Sequence, residues 1–212
     1  MPLIQERLNY YCEQFSSHSN PLLASQERKI GLHSTDPTLS SDFSQGRLLN
    51  FISKLIRPKR ILEIGTFWGY ATICFAEGLC SEGRIHTLEK NSTFRPILEE
   101  IFANAKIADK VKVFYGPALE TMNTLNLHSY DLFFVDAAKK EYHQYYEIII
   151  QSAKKGSIII LDNVLWKGSV INQNLKGIPK SMHDLNQMIK SDKRVENFIL
   201  PLRDGLNILT VL

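Results

Sequence analysis

Short apolar runs alternate with helix-type repeats along most of the chain. Apolar residues recur at helical spacing from Leu48 to Ile56, and the helix that they predict ends before Pro58. Further helices are predicted at about residues 70–80, 94–105 and 141–153. The apolar runs between these helices predict strands at residues 60–64, 84–89, 111–115, 131–135 and 157–161. Strands that are apolar on both faces and separated by helices are typical of a parallel sheet covered on both sides.

The end of the chain departs from this alternation. Two strand-like runs, 195–202 and 206–212, are joined by Arg203-Asp204-Gly205, and a short connection that contains Asp-Gly indicates a hairpin. The sequence therefore predicts an α/β fold with a doubly wound sheet of about seven strands, mostly parallel, that finishes with an antiparallel hairpin. Ligands of such sheets bind beyond the carboxyl ends of the strands, so candidate functional residues are sought there.

Composition narrows the class of protein without naming an activity. The chain has 212 residues, of which 44% are hydrophobic and 22% charged, and these values exclude a disordered or fibrous chain. The net charge of +3 is too small to predict binding to nucleic acid or to a membrane. Three cysteines without C-x-x-C spacing argue against a disulfide framework or a thiolate zinc site. No apolar run is long enough to span a membrane, and no signal peptide is recognised, so we expect a cytoplasmic protein.

A glycine-containing loop follows the first predicted strand. Glu63, Gly65 and Gly69 frame it, but Phe67 stands where the dinucleotide fingerprint needs a second glycine, and no P-loop lysine follows. Glu89 ends the second strand, where a carboxylate can accept hydrogen bonds from ribose hydroxyls. The pair of features indicates a nucleoside ligand without phosphates, such as S-adenosylmethionine. A plain turn between strand and helix is the alternative for the loop taken alone.

Oxygen ligands follow two further strands. Asp136 ends the fourth strand, and Asp162 and Asn163 end the fifth, so their side chains can meet at one edge of the sheet. Oxygen donors of this kind suit Mg²⁺, Mn²⁺ or Ca²⁺, whereas strand-end turns and caps are the alternative reading. Lys139 is a candidate base near such a cation, or an ordinary solvated lysine.

Taken together, these residues resemble the cation-dependent catechol and caffeoyl-coenzyme A O-methyltransferases. The resemblance runs from about residue 41 to residue 212 and rests on five motifs, which are Glu63-Ile64-Gly65-x-x-x-Gly69-Tyr70, Gly116-Pro117-Ala118, Phe134-Val135-Asp136-Ala137, Asp162-Asn163-Val164-Leu165-Trp166 and Leu200-Pro201-Leu202-Arg203-Asp204-Gly205. It implies a Rossmann-like methyltransferase catalytic core over residues 41–212. Residues 1–40 are polar and interrupted by prolines and a glycine, which indicates one or two short helices and a loop, so we expect a single domain over residues 1–212 with a helical N-terminal appendage. The resemblance also implies S-adenosylmethionine as cofactor, a divalent metal and a homodimer.

The resemblance further implies roles for single residues. Asp136, Asp162 and Asn163 match the metal ligands, with Mg²⁺ as the expected ion, and Asp136 and Lys139 match the catalytic pair, Lys139 as general base. Positions that match cofactor contacts are Ser41, Glu63, Gly65, Thr66, Ala71, Glu89, Ala118 and Asp136. Trp166 is a candidate wall of the substrate pocket or an ordinary core residue.

Two departures from the family pattern bear on cofactor and substrate. Ala138 replaces an aspartate that contacts cofactor in plant members, so another group is needed for that contact. Lys167 stands where plant members have a substrate-contacting asparagine, which favours small catechols over coenzyme A esters. We therefore expect methyl transfer to a hydroxyl of a catechol-like small molecule. The alternatives are methylation of a hydroxylated uridine in tRNA and a non-catalytic S-adenosylmethionine-binding protein.

Overall fold

The computed structural model describes residues 2–17, 22–23 and 43–212, and within them a seven-stranded sheet flanked by helices. The strands are β1 (Arg60–Ile64), β2 (Arg84–Glu89), β3 (Val111–Tyr115), β4 (Leu132–Val135), β5 (Ile158–Leu161), β6 (Val195–Leu200) and β7 (Leu206–Val211). The α-helices are α1 (Pro2–Gln14), α2 (Phe43–Ile56), α3 (Tyr70–Ala76), α4 (Arg95–Asn104), α5 (Ala118–Met122), α6 (Tyr142–Ser152) and α7 (Gly177–Ser191). Short 3-10 turns lie at Ser92–Phe94, Leu127–Ser129, Lys139–Glu141 and Ser169–Ile171.

The sheet has the strand order β3-β2-β1-β4-β5-β7-β6. Strands β1 to β5 pair in parallel, β7 is antiparallel to β5, and β6 is antiparallel to β7. The predicted α/β fold, with its mostly parallel sheet and antiparallel C-terminal hairpin, is confirmed. The order of the strands reverses between β1 and β4, and the crevice at such a reversal is where ligands of doubly wound sheets bind.

Two apolar layers cover the sheet because its buried strands carry apolar side chains on both faces. On one face, Leu62, Ile64 and Phe133 pack with residues of α6 and α7. On the other face, Ile61 and Phe134 pack with residues of α2, α3 and α4. Alternate residues of β1 therefore point into different layers, and this places Glu63 on the face covered by α3.

The observed elements follow the predicted ones closely, but two helices, α5 and α7, are absent from the prediction. Strands β1, β2 and β3 have the predicted bounds, and β4 and β5 begin one residue later than predicted. The helix predicted at 70–80 ends at Ala76. Helix α7 was not predicted, although Met182, Leu185 and Ile189 recur at helical spacing and are buried in it.

None of the helices in the described ranges is long and apolar enough to cross a membrane.

Candidate active site

A cavity of about 220 Å³ opens at the carboxyl ends of the parallel strands, where their order reverses. It lies beyond β1, β2, β3 and β4 and is closed on one side by the start of α6. Its lining consists of Gly65, Phe67, Leu88, Glu89, Lys90, Pro117, Ala118, Asp136, Ala137, Ala138, Glu141 and Tyr145. Four of the predicted cofactor positions, Gly65, Glu89, Ala118 and Asp136, therefore share one cavity.

Close contact between two backbone segments shapes the floor of this cavity. Gly65 has φ +102°, and a Cβ at this position would lie 2.0 Å from the carbonyl oxygen of Asp136. The N–H of Gly65 donates to the oxygen of Leu88 at 3.0 Å, and the N–H of Asp136 donates to the oxygen of Ile64 at 2.8 Å. Only glycine satisfies both the backbone conformation and the approach, so this residue fixes where Asp136 leaves the sheet.

The carboxylate of Glu89 is held by backbone donors on both oxygens. The N–H of Phe67 donates to Oε2 at 2.8 Å, and the N–H of Asn91 donates to Oε1 at 2.8 Å. These hydrogen bonds tie the glycine loop after β1 to the end of β2. Each carboxylate oxygen retains a further lone pair, so Glu89 can accept hydrogen bonds from a pair of ligand hydroxyls.

Glu63 and Thr66 lie beneath the glycine loop and outside the cavity lining. The hydroxyl of Thr72 donates to Glu63 Oε2 at 2.5 Å, and Glu63 Oε1 is buried without a partner among the described residues. Burial raises the pKa of Glu63 to about 7. The hydroxyls of Thr66 and Thr87 are 2.6 Å apart. These residues support the loop from below.

Two carboxylates meet at the ends of β4 and β5. Val135 is opposite Leu161 in the parallel register, and the N–H of Asp162 donates to the oxygen of Val135 at 3.0 Å, so Asp136 and Asp162 leave the sheet side by side. Burial, and then the negative charge of Asp136, raise the pKa of Asp162 to about 7. Two carboxylates placed side by side repel each other when both are charged, and a bound cation would relieve the repulsion.

Asp162 is also held from a distant helix. Nε2 of Gln45, in α2, donates to Asp162 Oδ2 at 2.5 Å, and both side chains are buried. The N–H of Asn163 donates to Asp162 Oδ1 at 2.6 Å. Sequence reasoning missed Gln45, because nothing in its local spacing connects it with a strand end 117 residues away.

Lys139 lies against the other carboxylate. Its Nζ donates to Asp136 Oδ1 at 2.7 Å and to the Tyr142 hydroxyl at 3.0 Å. That hydroxyl donates in turn to the carbonyl oxygen of Val135 at 3.0 Å. Burial, and then the charge of Asp136, raise the pKa of Tyr142, so Tyr142 stays neutral and holds the lysine in place. The predicted pair of Asp136 and Lys139 is thus brought together.

The loop after β5 carries the remaining predicted site residues. Asn163, Trp166 and Lys167 all have positive φ, an uncommon backbone conformation for residues other than glycine. Asp204 of the hairpin turn accepts hydrogen bonds from Lys167 N–H and, at 3.4 Å, from Asn163 Nδ2. Because its nitrogen points to Asp204, Asn163 keeps its Oδ1 available as an acceptor.

Some predicted positions lie away from the cavity. Ala71 is buried in α3, Trp166 packs partly buried against the core, and Lys167 is exposed, and all three are outside the cavity lining. Ser41 lies outside the described residues. Sequence reasoning missed Glu141 and Tyr145, although their spacing of four residues at a predicted helix start places them on one face.

The donor set at the two strand ends fits a hard divalent cation. Asp136 and Asp162 supply adjacent carboxylates and Asn163 supplies an amide oxygen, which are the ligand types that Mg²⁺ and Mn²⁺ bind. In the described part of the chain, no cluster of three or more His, Cys, Asp and Glu side chains is placed to hold a metal. The candidate set therefore depends on one amide and leaves positions for water or substrate.

Comparison with known protein families identifies the enzyme family to which the chain belongs. A family model described as O-methyltransferase matches residues 13–211. The chain belongs to this O-methyltransferase family. Caffeoyl-CoA O-methyltransferase 1 of Eucalyptus globulus is 33% identical over 182 residues, which are 81% of this chain and 73% of the relative. Catechol O-methyltransferase of Mycobacterium tuberculosis is 35% identical over 138 residues, which are 65% of this chain and 63% of the relative.

Solved structures of O-methyltransferases and related methyltransferases share the fold. A methyltransferase of Podospora anserina with bound SAH (S-adenosylhomocysteine) aligns over 99% of this chain and 95% of its own, with a TM-score of 0.90 and 28% identity. An O-methyltransferase of Streptomyces achromogenes in complex with SAM (S-adenosylmethionine) aligns over 97% of this chain and 96% of its own, with a TM-score of 0.88 and 25% identity. The predicted SAM-dependent O-methyltransferase of the caffeoyl-CoA and catechol type is confirmed as the class of this protein.

Proposed function

We propose that this O-methyltransferase transfers the methyl group of SAM to a hydroxyl of a catechol-like small molecule, with a divalent cation bound by Asp136, Asp162 and Asn163. The observation that carries the proposal is the placement of Asp136 and Asp162 side by side, with Lys139 on Asp136, at one edge of the cavity. Catechols present two adjacent oxygens, and such a pair matches a cation that keeps neighbouring coordination positions open.

Residues of the cavity would position the cofactor. Glu89, whose carboxylate is already fixed by two backbone N–H groups, would accept hydrogen bonds from the ribose hydroxyls. Gly65 lets the backbone approach the methionine portion closely, and Ala118 would meet the adenine. In this orientation the sulfonium methyl would face the carboxylates of β4 and β5, where the acceptor oxygen would be held.

Residues at the strand ends would prepare the acceptor. A bound divalent cation supplies a Lewis acid that stabilises the ionised hydroxyl of the acceptor. Lys139 would receive the hydroxyl proton at Nζ, and it can do so only in its neutral form, because the ammonium that donates to Asp136 has no lone pair. The main contribution of the protein is alignment of the oxygen with the methyl group.

The direct test measures methyl transfer from SAM to a panel of catechols and to tRNA. Each reaction is run with Mg²⁺, with Mn²⁺, and after metal stripping in excess EDTA. We expect transfer to catechols that EDTA abolishes and added Mg²⁺ restores. Full activity in EDTA would overturn the metal proposal. Metal and SAM binding without transfer to any acceptor would support the non-catalytic alternative.

A groove lined by basic residues lies away from the cavity, whose own lining, among the described residues, has Lys90 as its one basic residue, and this supports a small acceptor over tRNA. Arg60, Arg84, Lys110 and Lys112 line a groove at the beginnings of β1, β2 and β3. The cavity lies at the opposite edge of the sheet, beyond the carboxyl ends of those strands. Because phosphate contacts dominate RNA binding, RNA held at this groove would lie away from Asp136 and Lys139. Tight, salt-dependent tRNA binding together with methylation of the tRNA would reverse this preference.

Three further predictions concern the domain organisation, the oligomeric state and the location of the protein. Residues 1–212 are expected to form one methyltransferase domain with a helical N-terminal appendage, the protein to be a homodimer, and its location to be cytoplasmic. Light scattering of the purified protein tests the homodimer, limited proteolysis tests the domain organisation, and cell fractionation tests the location.

A further inference from the structure

Glu141 adds a third carboxylate to the cavity lining, beside those of Glu89 and Asp136. It ends the 3-10 turn Lys139–Glu141, where its N–H donates to the carbonyl oxygen of Ala138 at 2.9 Å. Its side chain lines the cavity together with that of Tyr145, which lies one helical turn further along in α6. Glu141 therefore shares the cavity lining with the exposed Ala138, a residue with no polar atom in its side chain.

Tyr145 fixes the orientation of this carboxylate. The Tyr145 hydroxyl donates a hydrogen bond to Glu141 Oε2. Burial, and then the hydrogen bond to Glu141, raise the pKa of Tyr145, so the phenol stays protonated and keeps donating. A carboxylate held by a buried tyrosine loses little further freedom when it binds a ligand.

Glu89 and Glu141, two of the three carboxylates that line the cavity, differ in how many further hydrogen bonds they can accept. Both oxygens of Glu89 already accept hydrogen bonds from backbone N–H groups. For Glu141, only Oε2 has a donor among the residues that the structure describes, and Oε1 keeps its full acceptor capacity beside the cavity. Glu141 is thus prepared to accept a hydrogen bond from a ligand.

The position of Glu141 in the cavity limits which hydrogen-bond donor group of SAM it could contact. These groups are the ammonium, the ribose hydroxyls and the 6-amino group of adenine. Glu89 is placed for the ribose, and the methionine portion must bring its methyl towards Asp136. The base would then point to the remaining end of the cavity, where Pro117 and Ala118 lie and where α5 packs against α6, the helix of Tyr145.

We propose that Glu141, oriented by Tyr145, accepts a hydrogen bond from the 6-amino group of the cofactor's adenine and so selects adenine over purines without that donor. This inference rests on the cofactor binding proposed above and adds a recognition residue to it. Glu141 acts on cofactor binding alone and takes no part in moving the proton or the methyl group.

The test is calorimetric titration of the full-length protein with SAH and with the analogue of SAH that carries hydrogen at purine position 6. We expect the unaltered protein to bind SAH roughly tenfold more tightly than the analogue, because the analogue leaves Glu141 without a donor. Glu141→Ala should lose roughly tenfold in affinity for SAH and little for the analogue, so the discrimination disappears. Glu141→Gln, which keeps an oxygen acceptor, should discriminate to an intermediate degree.

Two controls separate this contact from general effects of charge and folding. Glu147→Gln removes a carboxylate from the same helix, where Glu147 pairs with Arg194 at 3.6 Å outside the cavity lining, and should bind both ligands as the unaltered protein does. Tyr145→Phe should reduce the discrimination while both ligands still bind.

Equal weakening of SAH and the analogue by Glu141→Ala would overturn the contact with the amino group. Failure of the unaltered protein to bind SAH would overturn the cofactor proposal itself, and the two failures are therefore distinguishable.

Discussion

Nε2 of Gln45 lies 2.5 Å from Oδ2 of Asp162, and this hydrogen bond connects helix α2 with the end of strand β5. Gln45 and Asp162 are both buried, so water cannot replace the bond easily. If Asp162 binds a cation, Gln45 is the residue that orients its carboxylate, and partners of this kind strongly influence metal affinity.

We expect Gln45→Ala to weaken Mn²⁺ binding by roughly tenfold, because the Asp162 carboxylate loses its orienting donor. Titration of Mn²⁺ followed by electron paramagnetic resonance measures the free ion directly. Gln187→Ala is the matched control, since Gln187 is exposed on α7. Unchanged Mn²⁺ affinity in Gln45→Ala would show that Asp162 needs no support from α2.

Asp162→Asn tests the carboxylate itself. The substitution keeps the size of the side chain and removes its negative charge, so Mn²⁺ affinity and kcat should both fall by at least about 100-fold. SAH affinity should change little, because Asp162 is outside the cavity lining. Asp184→Asn, at an exposed ion pair with Lys180 on α7, serves as the control for loss of one aspartate charge. A metal-dependent activity that survives in Asp162→Asn contradicts the assignment.

Lys139→Met tests the proposed base. Without an amine beside Asp136, kcat for a catechol should fall by roughly 100-fold or more, while the KM for SAM stays within about threefold. Its sequence neighbour Lys140 is exposed, and Lys140→Met should leave both constants unchanged. If the two variants behave alike, the lysine has no chemical role.

Glu63 makes the stability of the unliganded protein depend on pH. Its pKa is raised from 4.5 to about 7 in the folded protein, so the folded state binds the proton more tightly than the unfolded state. The contribution to stability is present below pH 4.5 and is lost as pH rises through about 7, a loss of about 3 kcal/mol. Urea denaturation between pH 5 and 8 measures it. Glu63→Gln should remove this part of the pH dependence and leave the part that arises from the raised pKa of Asp162. An undiminished pH dependence in this variant would rule out Glu63 as a source.

Gly65→Ala should destabilise the protein by about 2–4 kcal/mol, because the new Cβ collides with the backbone of Asp136 in addition to straining φ. Gly156→Ala is a control for the strain alone, since Gly156 also has positive φ but has no atom near the new Cβ. The free energy of unfolding of that variant should fall by only about 1 kcal/mol. Chemical denaturation measures the free energy of unfolding of both variants. Equal losses would mean that the backbone near Asp136 moves aside at little cost to accommodate the new Cβ.

The fold was largely predictable because its strands are short apolar runs with clear breaks. The bounds of β1 and β2 follow from apolar runs that end at Gly65 and just after Glu89. Helix α7 escaped prediction, since Gly177 and Pro179 at its start interrupt an otherwise regular apolar spacing. Helix α3 ends before the predicted bound, and Gly78 just beyond it packs against the backbone of α2. The local spacing of apolar residues does not indicate this tertiary contact.

The site was predictable only as far as the topology of the sheet determines it. The pairing of β4 with β5 brings Asp136 and Asp162 together, and this follows from the order of strands. The contact of Gln45 with Asp162 and the inward position of Glu141 depend on how helices dock, which motif spacing does not encode.

The loop after β5 rests on the hairpin turn between β6 and β7 instead of on the parallel strands. Val164 and Leu165 donate to carbonyl oxygens of Gly205 and Asp204, whereas Asp136 and Asp162 are anchored in the sheet itself. Substitutions in the turn can therefore reshape the surface around Trp166 and Lys167, the positions proposed to meet the acceptor, while the carboxylates keep their spacing. In evolutionary terms, the choice of acceptor can drift independently of the chemistry that methylates it.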